Sequence, residues 1–419
     1  MKNVRVDLNY YEQSLAEDLS VFTNHHVENL SQLIELTRDL VGQNHLRFSE
    51  DEARENIDKG ERILRSWQLY LGEDGSLPAD DLCYWFLLKD AHAEYRQRFA
   101  AQERLPEGDV FNPALGRAFA RIPFAKRLEL HESLSQGKYI LDQVHDLDAL
   151  RETMVCTVPW NFIRANNMHD LSQPPAELLF KVPAAIRKAG VLLSALDIDT
   201  LPQDYSRLVA SKQDLVDLTA AVQNVKYLCF RPSDTRFHLR EPAEIAHLAR
   251  LLTALLDTKS LESITINLDS TCDRTDPDVF APPPICLGPM LAKQTRRNLR
   301  IILLRSFAIH HAELERFVDQ LGVPLKYAGL QDIHLMSGTW ADTLDVLRRV
   351  APSRSSGLTF EGAIGAEVEV MSDDERAAVF EPRYRMIDKR SLAEAYITGK
   401  IVDNPVRASL EGVDGAQTQ

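Results

Sequence analysis

Residues 261–266 have the sequence Leu-Glu-Ser-Ile-Thr-Ile, in which the first, fourth and sixth residues are apolar. The alternation at the end of this segment is typical of a strand that buries one face. Five other segments have the same spacing: Ala125/Leu128/Leu130, Leu193/Leu196/Ile198, Val225/Leu228/Phe230, Leu299/Ile302/Leu304 and Leu330/Ile333/Leu335. The middle residues stand at positions 128, 196, 228, 264, 302 and 333, so most copies are about 31 to 38 residues apart and one gap is twice as long.

A period of this size is typical of a solenoid, whose units bury their apolar faces on their neighbours. Between these strands lie stretches with helical spacing, for example 212–223, 242–257, 310–321 and 339–350. Alternating strands and helices predict parallel strands joined by helical crossovers. We therefore predict an α/β fold of the leucine-rich-repeat-like solenoid type, with about seven helix–strand units.

A doubly wound α/β sheet is the alternative, because it also alternates strands and helices. Its strands are covered on both faces and are therefore apolar on both sides. Here the residues that flank the repeat leucines are often polar, as at Arg127, Glu129, Asp197 and Thr265, although Ile301 and Leu303 are exceptions. This pattern favours a sheet with one open face.

The expected organisation has three parts. Residues 1–122 form a helix-rich segment that begins with a strand, and residues 123–370 form the repeat region. Residues 371–419 form an extension that we expect to be disordered after about residue 402, since its sequence is polar. The proline-rich segment 276–284 predicts a loop, and residues 133–175 carry no clear pattern.

Composition excludes several classes of function. The net charge of −14 should repel phosphate backbones and anionic membrane surfaces, so we expect neither nucleic-acid nor membrane partners. The five cysteines form no Cys-x-x-Cys pair, and no apolar segment resembles a secretory signal. Both features predict an intracellular protein, cytoplasmic or nuclear, with reduced thiols.

Few residues suggest chemistry, and we predict no catalytic, cofactor-binding or metal site. The segment His310-His311-Ala312-Glu313 lacks the His-Glu-x-x-His spacing of zinc enzymes, so it predicts a helix N-terminus. His25-His26 is a similar doublet, expected on a helix at the surface or boundary, and His131-Glu132 follows a repeat strand without an identifiable partner for acid–base catalysis. Cys229 lies in a predicted strand and is expected to pack as a small apolar residue. Glycine-rich phosphate loops are absent from the sequence.

Trp340 follows Ser337-Gly338-Thr339 at a predicted helix start. An exposed tryptophan there would be an anchor for a partner. The interpretation that we favour is structural: Trp340 packs on the adjacent strand, and Thr339 caps the helix.

The chain resembles fungal F-box proteins with degenerate leucine-rich repeats. The resemblance is carried loosely by residues 3–361, and the segments concerned are 4–19, 95–132, 298–304 and 330–340. Its most specific part is Ser337-Gly-Thr-Trp340. The F-box itself is missing, since Met1 stands where it would end. The look-alike Leu171–Leu179 is better explained as part of the helix before the strand at 192.

The resemblance implies a substrate receptor related to ubiquitin ligases, which would bind a Skp-type adaptor only if an F-box lay upstream of Met1. We predict recognition of an unknown protein through polar residues that flank or end the repeat strands: Arg127, Glu129, Tyr227, Arg231, Arg305, Asp332 and His334. Two other classes stay open. One is an enzyme on a closed α/β sheet, and the other is a structural assembly protein without a dedicated ligand.

Overall fold

The computed structural model describes residues 2–42, 49–71, 78–105, 110–132, 144–160, 175–202, 204–232, 242–268, 285–351, 357–381 and 390–409. Within them the chain has an eight-stranded, all-parallel sheet together with many helices. The predicted α/β class is therefore confirmed. The strands lie side by side in chain order. They are β1 (Lys2–Asp7), β2 (Ala125–His131), β3 (Ala195–Ile198), β4 (Tyr227–Phe230), β5 (Ser263–Asn267), β6 (Ile301–His310), β7 (Tyr327–Ser337) and β8 (Leu358–Ile364).

Helices occupy most of the other described segments. They are α1 (Gln13–Glu17), α2 (Leu19–Gly42), α3 (Glu50–Leu71), α4 (Leu82–Glu103), α5 (Phe111–Ala120), α6 (Leu147–Met154), α7 (Leu178–Lys188), α8 (Lys212–Val222), α9 (Pro242–Leu256), α10 (Gly288–Leu291), α11 (His311–Asp319), α12 (Trp340–Val350), α13 (Asp373–Phe380) and α14 (Leu392–Ile397). Among them none is long and apolar enough to cross a membrane.

The predicted helices at 212–223, 242–257, 310–321 and 339–350 agree with α8, α9, α11 and α12 to within two residues. The look-alike Leu171–Leu179 runs into α7, while its residues 171–174 lie outside the described ranges. The predicted loop 276–284 also lies outside them, as does most of the unassigned stretch 133–175. Within that stretch the structure adds α6, whose N-terminus is capped by the Asp146 carboxylate.

Two ladders of apolar side chains run across the sheet and form the centre of its buried face. The first aligns Val4, Leu128, Leu196, Leu228, Ile264, Ile302, Ala328 and Leu358, and the second aligns Val6, Leu130, Ile198, Phe230, Ile266, Leu304, Leu330 and Phe360. From β2 to β8 every member is buried. When strands are added to a sheet in chain order, right-handed crossovers place all the connecting helices on the same face. The helices there pack on one another in chain order: α7 contacts α8, α8 contacts α9 and α11 contacts α12.

One predicted repeat unit is wrong in register. Strand β7 aligns Ala328 with Ile302 and Leu330 with Leu304, so the unit equivalent to Leu299/Ile302/Leu304 is Leu325/Ala328/Leu330. The predicted unit Leu330/Ile333/Leu335 therefore starts at Leu330, which is the last apolar residue of the aligned unit. Its side chains are nevertheless buried, and a bend in the strand explains why.

The bend is formed by Ser306, Asp332 and Gly362, whose φ angles are 57°, 55° and 70°. The three residues lie at the same level of β6, β7 and β8, since their neighbours on both sides are in register. A left-handed residue breaks the alternation of the strand, so that Phe307, Ile333 and Ala363 again face the core. A Cβ at position 362 would overlap the Asp332 carboxylate, which explains the glycine.

The C-terminal segment is ordered as far as the described residues extend. The Asn404 side-chain amide donates hydrogen bonds to the Ala341 carbonyl at 2.8 Å and to Asp345 Oδ1 at 3.0 Å. Arg407 pairs with Asp342 and Asp345, and Val406 is fully buried. The expectation of disorder after about residue 402 is therefore wrong for residues 404–409, which pack on α12.

Strand β8 is the last in the sheet, and a buried carboxylate covers part of its outer edge. Glu394 of α14 is 6% exposed and its Oε1 accepts a hydrogen bond from the Phe360 backbone N–H at 2.7 Å. Burial raises the pKa of this carboxyl, although hydrogen bonds from Phe360 and Ser391 oppose the rise. The Phe360 N–H at the edge of the sheet is thus hydrogen-bonded to a side chain instead of to a ninth strand.

We expect Glu394→Gln to make the chain more stable at neutral pH than the wild type. A carboxyl whose pKa is raised by folding stabilises the folded state below its unfolded pKa, and this contribution is lost as the pH rises through the folded value. Glutamine does not ionise and keeps an oxygen for Phe360 N–H. Urea unfolding at pH 5 and pH 8 should show a difference that favours the variant and widens with pH. A difference that is constant with pH would contradict the assignment.

Candidate protein-binding face of the sheet

The face of the sheet opposite the apolar ladders is accessible to solvent. Along each of the strands β2 to β5, buried residues alternate with residues on this second face, as a half-covered strand requires. We call this surface the open face. Its members with side chains larger than alanine are all partly or fully exposed: Asn3, Arg5, Asp7, Arg127, Glu129, His131, Asp197, Asp199, Tyr227, Cys229, Arg231, Ser263, Thr265, Asn267, Ile301, Leu303, Arg305, Tyr327, Gln331, Thr359 and Glu361.

Strand register arranges these side chains in rows across the sheet. One row runs through Glu129, Asp197, Cys229, Thr265, Leu303 and Thr359, interrupted by Gly329 on β7. Another runs through Asn267, Arg305, Gln331 and Glu361. Side chains on neighbouring strands therefore lie beside one another, although they are far apart in the sequence.

The N-terminal part of the open face carries paired charges. Arg127 Nε lies 2.6 Å from Asp197 Oδ2 on the next strand and 3.1 Å from Glu129 Oε1. Partial burial opposes the charge of Arg127, but the hydrogen bond and the charge of Asp197 outweigh it, so the pKa of the guanidinium is raised. His131 Nδ1 contacts Asp199 Oδ2 at the ends of β2 and β3. These groups stabilise one another across the strands.

The central part is aromatic and apolar. Tyr227 is 46% exposed, and Ser263 on β5 separates it from Ile301, Leu303 and Tyr327, which are partly exposed on β6 and β7. The Tyr327 hydroxyl lies 3.2 Å from Thr359 Oγ1. Cys229 lies in the same region, and burial raises the pKa of its thiol. A protonated thiol is a poor nucleophile, which agrees with the expectation that Cys229 serves as a packing residue.

Five of the seven predicted binding residues, Arg127, Glu129, Tyr227, Arg231 and Arg305, are on the open face. The other two lie at the bend. Asp332 is left-handed and mostly buried, with a side chain that is 11% exposed, and its Oδ2 lies 3.3 Å from Arg305 Nε. It therefore orients Arg305. His334 lies beyond the bend, next to Gly365.

The sequence prediction missed Gln331 and Glu361, which lie beside Arg305 and are joined by a hydrogen bond of 3.2 Å from Gln331 Nε2. The incorrect register of the last predicted unit, Leu330/Ile333/Leu335, caused the omission of Gln331. Counting from Leu325 would have placed Gln331 directly after the last apolar residue of the unit, as Arg305 is in the previous one.

The other sequence candidates have structural partners. Glu132 is 2% exposed and its Oε2 accepts hydrogen bonds from the Trp160 backbone N–H at 3.0 Å and from the Thr200 hydroxyl at 3.1 Å. The expected surface or boundary position is wrong for His26, which is buried, and burial holds its pKa well below the usual range. His310 is the N-cap residue of α11, so the prediction of a helix N-terminus there is confirmed.

An enzyme would need a pocket with converging titratable groups. A cleft of about 510 Å³ lies between the end of β1 and helices α5, α7 and α8. Two of its charged residues, Lys188 and Asp217, are joined at 2.6 Å, and this hydrogen bond lowers the pKa of Asp217. A carboxyl with a lowered pKa is not suited to act as a general acid near neutral pH.

Fold and surface together define an α/β protein with a parallel sheet that is buried on one face and accessible on the other. Comparisons of the chain with protein-family models, with curated proteins and with solved structures find no significant match.

Proposed function

We propose that this chain is a protein-recognition scaffold of the leucine-rich-repeat-like solenoid type and that it binds a protein partner through the open face. The observation that carries the proposal is the asymmetry of the sheet. Parallel sheets are ordinarily covered on both faces, whereas here one face carries aligned side chains that are accessible to solvent over eight strands. Such a surface offers side chains for contact with a partner without requiring a pocket.

The composition of the open face supports a protein as the ligand. Tyrosine and arginine are enriched where binding energy concentrates in interfaces, around an apolar centre with a polar rim. Tyr227, Leu303 and Tyr327 supply such a centre, and Arg231 and Arg305 supply part of the rim. Acidic and basic groups occur together on the face, which does not suit a polyanion such as nucleic acid.

The resemblance to fungal F-box proteins suggests a more specific role, a substrate receptor related to ubiquitin ligases. We propose this receptor role as a more specific version of protein recognition through the open face. Because a Skp-type adaptor is expected to bind only if an F-box lies upstream of Met1, the test is a binding assay between the adaptor and the chain extended by any in-frame upstream F-box. Binding would connect the chain to a cullin ligase, and its absence would leave recognition through the open face as the function to test.

We expect the double substitution Tyr227→Ala with Arg231→Glu to weaken binding to the native partner at least tenfold, or about 1.4 kcal/mol. Partners recovered from the source cells with the wild-type chain should be lost with the variant, and the dissociation constant of the purified pair should rise. Stability should change little, because substitutions of exposed side chains usually cost about 0.5 kcal/mol or less. Arg127 is less suitable, since its reversal would place three carboxylates together.

The matched control is Val216→Ala with Arg250→Glu, two exposed positions on helices α8 and α9. This variant should bind like the wild type. If both double variants lose binding equally, or if only the control does, the open face is not the binding surface. A sharp fall in melting temperature for the Tyr227/Arg231 variant would show that these side chains are structural.

A further inference from the structure

The end of β6 brings together three side chains that could bind a metal ion. Cys286, His310 and Glu313 each offer one ligand atom, and these atoms all lie within 4.8 Å of one another. It is the one such group of three or more in the part of the chain that the structure describes. Cys286 Sγ lies 3.5 Å from Glu313 Oε2. In a tetrahedral zinc site with bonds of about 2.0–2.3 Å, neighbouring ligand atoms are separated by about 3.3–3.8 Å.

The backbone fixes the positions of all three residues. The segment before α10 pairs with β6 through a bridge between Cys286 and Ala308, with a hydrogen bond of 3.0 Å from Leu287 N–H to the Ala308 carbonyl. His310 is the N-cap residue of α11, and Glu313 lies in the first turn of that helix. The three residues are all partly buried, so a cation would be shielded from part of the solvent.

Two neighbouring residues support the arrangement. Ser337 Oγ lies 2.8 Å from His310 Nδ1 and orients the ring; metal-binding histidines commonly have such a partner. Gly288 is buried against the Glu313 carboxylate, and a Cβ at this position would overlap it. His311 turns away, with its Nδ1 3.1 Å from Thr343 Oγ1.

We propose that Cys286, His310 and Glu313 form a binding site for Zn²⁺ or a similar divalent transition-metal ion. Thiolate, imidazole and carboxylate are the three ligand types that zinc accepts, and a thiolate with a carboxylate balances its charge of two. Binding displaces the thiol proton to solvent. Three protein ligands leave a fourth position for water. Sequence reasoning missed this site because Cys286 is remote from the two other residues in the chain.

The test uses the full chain, freed of metal with a chelator, and titrates it with Zn²⁺ against a chromophoric indicator and with Co²⁺ as a spectroscopic probe. We expect one equivalent to bind, with a cobalt–thiolate charge-transfer band. Cys286→Ser and His310→Ala should each weaken binding at least about a hundredfold, and Ser337→Ala about tenfold, as for outer partners of metal ligands. The controls Cys83→Ser and His311→Ala should bind like the wild type.

Binding that persists in Cys286→Ser and His310→Ala, or the absence of stoichiometric binding to the wild type, would overturn the proposal. Circular dichroism checks that each variant folds. If those two variants do not fold, Glu313→Gln decides, because glutamine preserves the volume and an oxygen for the His310 N–H but removes the charged ligand. Zinc affinity equal to that of the wild type in a folded Glu313→Gln chain would also exclude the site.

Discussion

Replacing Trp340 by alanine is expected to lower the free energy of unfolding by about 3–5 kcal/mol, the range for large aromatic side chains in cores. Trp340 is fully buried, and its ring packs edge-on against Phe360 at 5.7 Å and Phe380 at 5.8 Å between centroids. The indole N–H lies 3.2 Å from the carbonyl oxygens of Ile364 and Gly365. The alanine variant therefore loses packing between α12, β8 and α13 and leaves the Ile364 and Gly365 carbonyls without this donor.

Hydrogen bonds also fix the backbone at Trp340. Thr339 caps α12 by accepting a hydrogen bond from Asp342 N–H, as the sequence predicted, and the Glu367 carboxylate accepts from the N–H groups of Trp340 and Ala341 at 2.7 and 3.2 Å. Trp340→Phe should cost less than the alanine substitution, because it keeps most of the ring. The structural interpretation of Trp340 is thus confirmed by its burial, and an exposed anchor role is excluded.

Urea unfolding followed by far-ultraviolet circular dichroism measures the effect without depending on tryptophan emission. The control is Trp85→Ala, since Trp85 is only partly buried and one face of its ring is near Lys89 Nζ, 4.5 Å from the ring centroid. The control should lose about 1 kcal/mol or less. Equal losses in the two variants would contradict the central position of Trp340 in the core.

The second large effect is expected at Arg296, where substitution by methionine should cost about 3–5 kcal/mol: four carbonyls lose a charged donor, whose hydrogen bonds contribute about 1.5–3 kcal/mol each, and the removal of a buried charge offsets part of this loss. The side chain is 1% exposed, and its guanidinium donates to four backbone carbonyls: Leu256 at 2.9 Å, Thr258 at 3.1 Å, Met290 at 3.2 Å and Leu291 at 3.3 Å. These carbonyls belong to the C-terminal ends of α9 and α10, where helices leave acceptors unsatisfied. Burial lowers the pKa of Arg296 to about 10, opposed by Asp257, so the group remains charged at neutral pH.

Arg296→Lys should also destabilise, because an ammonium group cannot reproduce the planar fork of the guanidinium. Arg297 is exposed and provides the adjacent control, for which Arg297→Ala should change stability little. Unfolding in urea compares the three variants. If Arg296→Met were as stable as the wild type, the cost of burying the charge would equal what its hydrogen bonds contribute, and Arg296 would not be needed to join α9 to α10.

The α/β class and the parallel sheet could be predicted because the signals are local. Each of the segments ending at Ile198, Phe230 and Ile266 carries its apolar spacing within six residues, and the helices between them have their own periodicity. The order of the strands follows from the repeat, since equivalent units stack in sequence. The open face was predicted for the same reason, because polar residues such as Glu129 and Thr265 occupy alternate positions.

The remaining features depend on contacts that no local pattern contains. The bend at Asp332 shifts the alternation of β7, and neither Ser306 nor Asp332 is a glycine that would have marked a left-handed residue. Arg296 and Arg297 are neighbours of the same type, and only the packing of α9 and α10 distinguishes the buried one from the exposed one. Cys286 meets His310 through the pairing of its segment with β6.

Thiol labelling of two adjacent positions on β5 tests whether the sheet has one buried and one open face. Thr265 lies on the open face and Ile264, fully buried, lies in the apolar ladder. In the folded chain, Thr265→Cys should react with an alkylating reagent far faster than Ile264→Cys, with peptide mass spectrometry separating these thiols from the native ones. A partner bound to the open face should slow only the Thr265→Cys reaction. Equal rates at the two positions, or faster reaction at Ile264→Cys, would contradict a sheet with one buried and one open face.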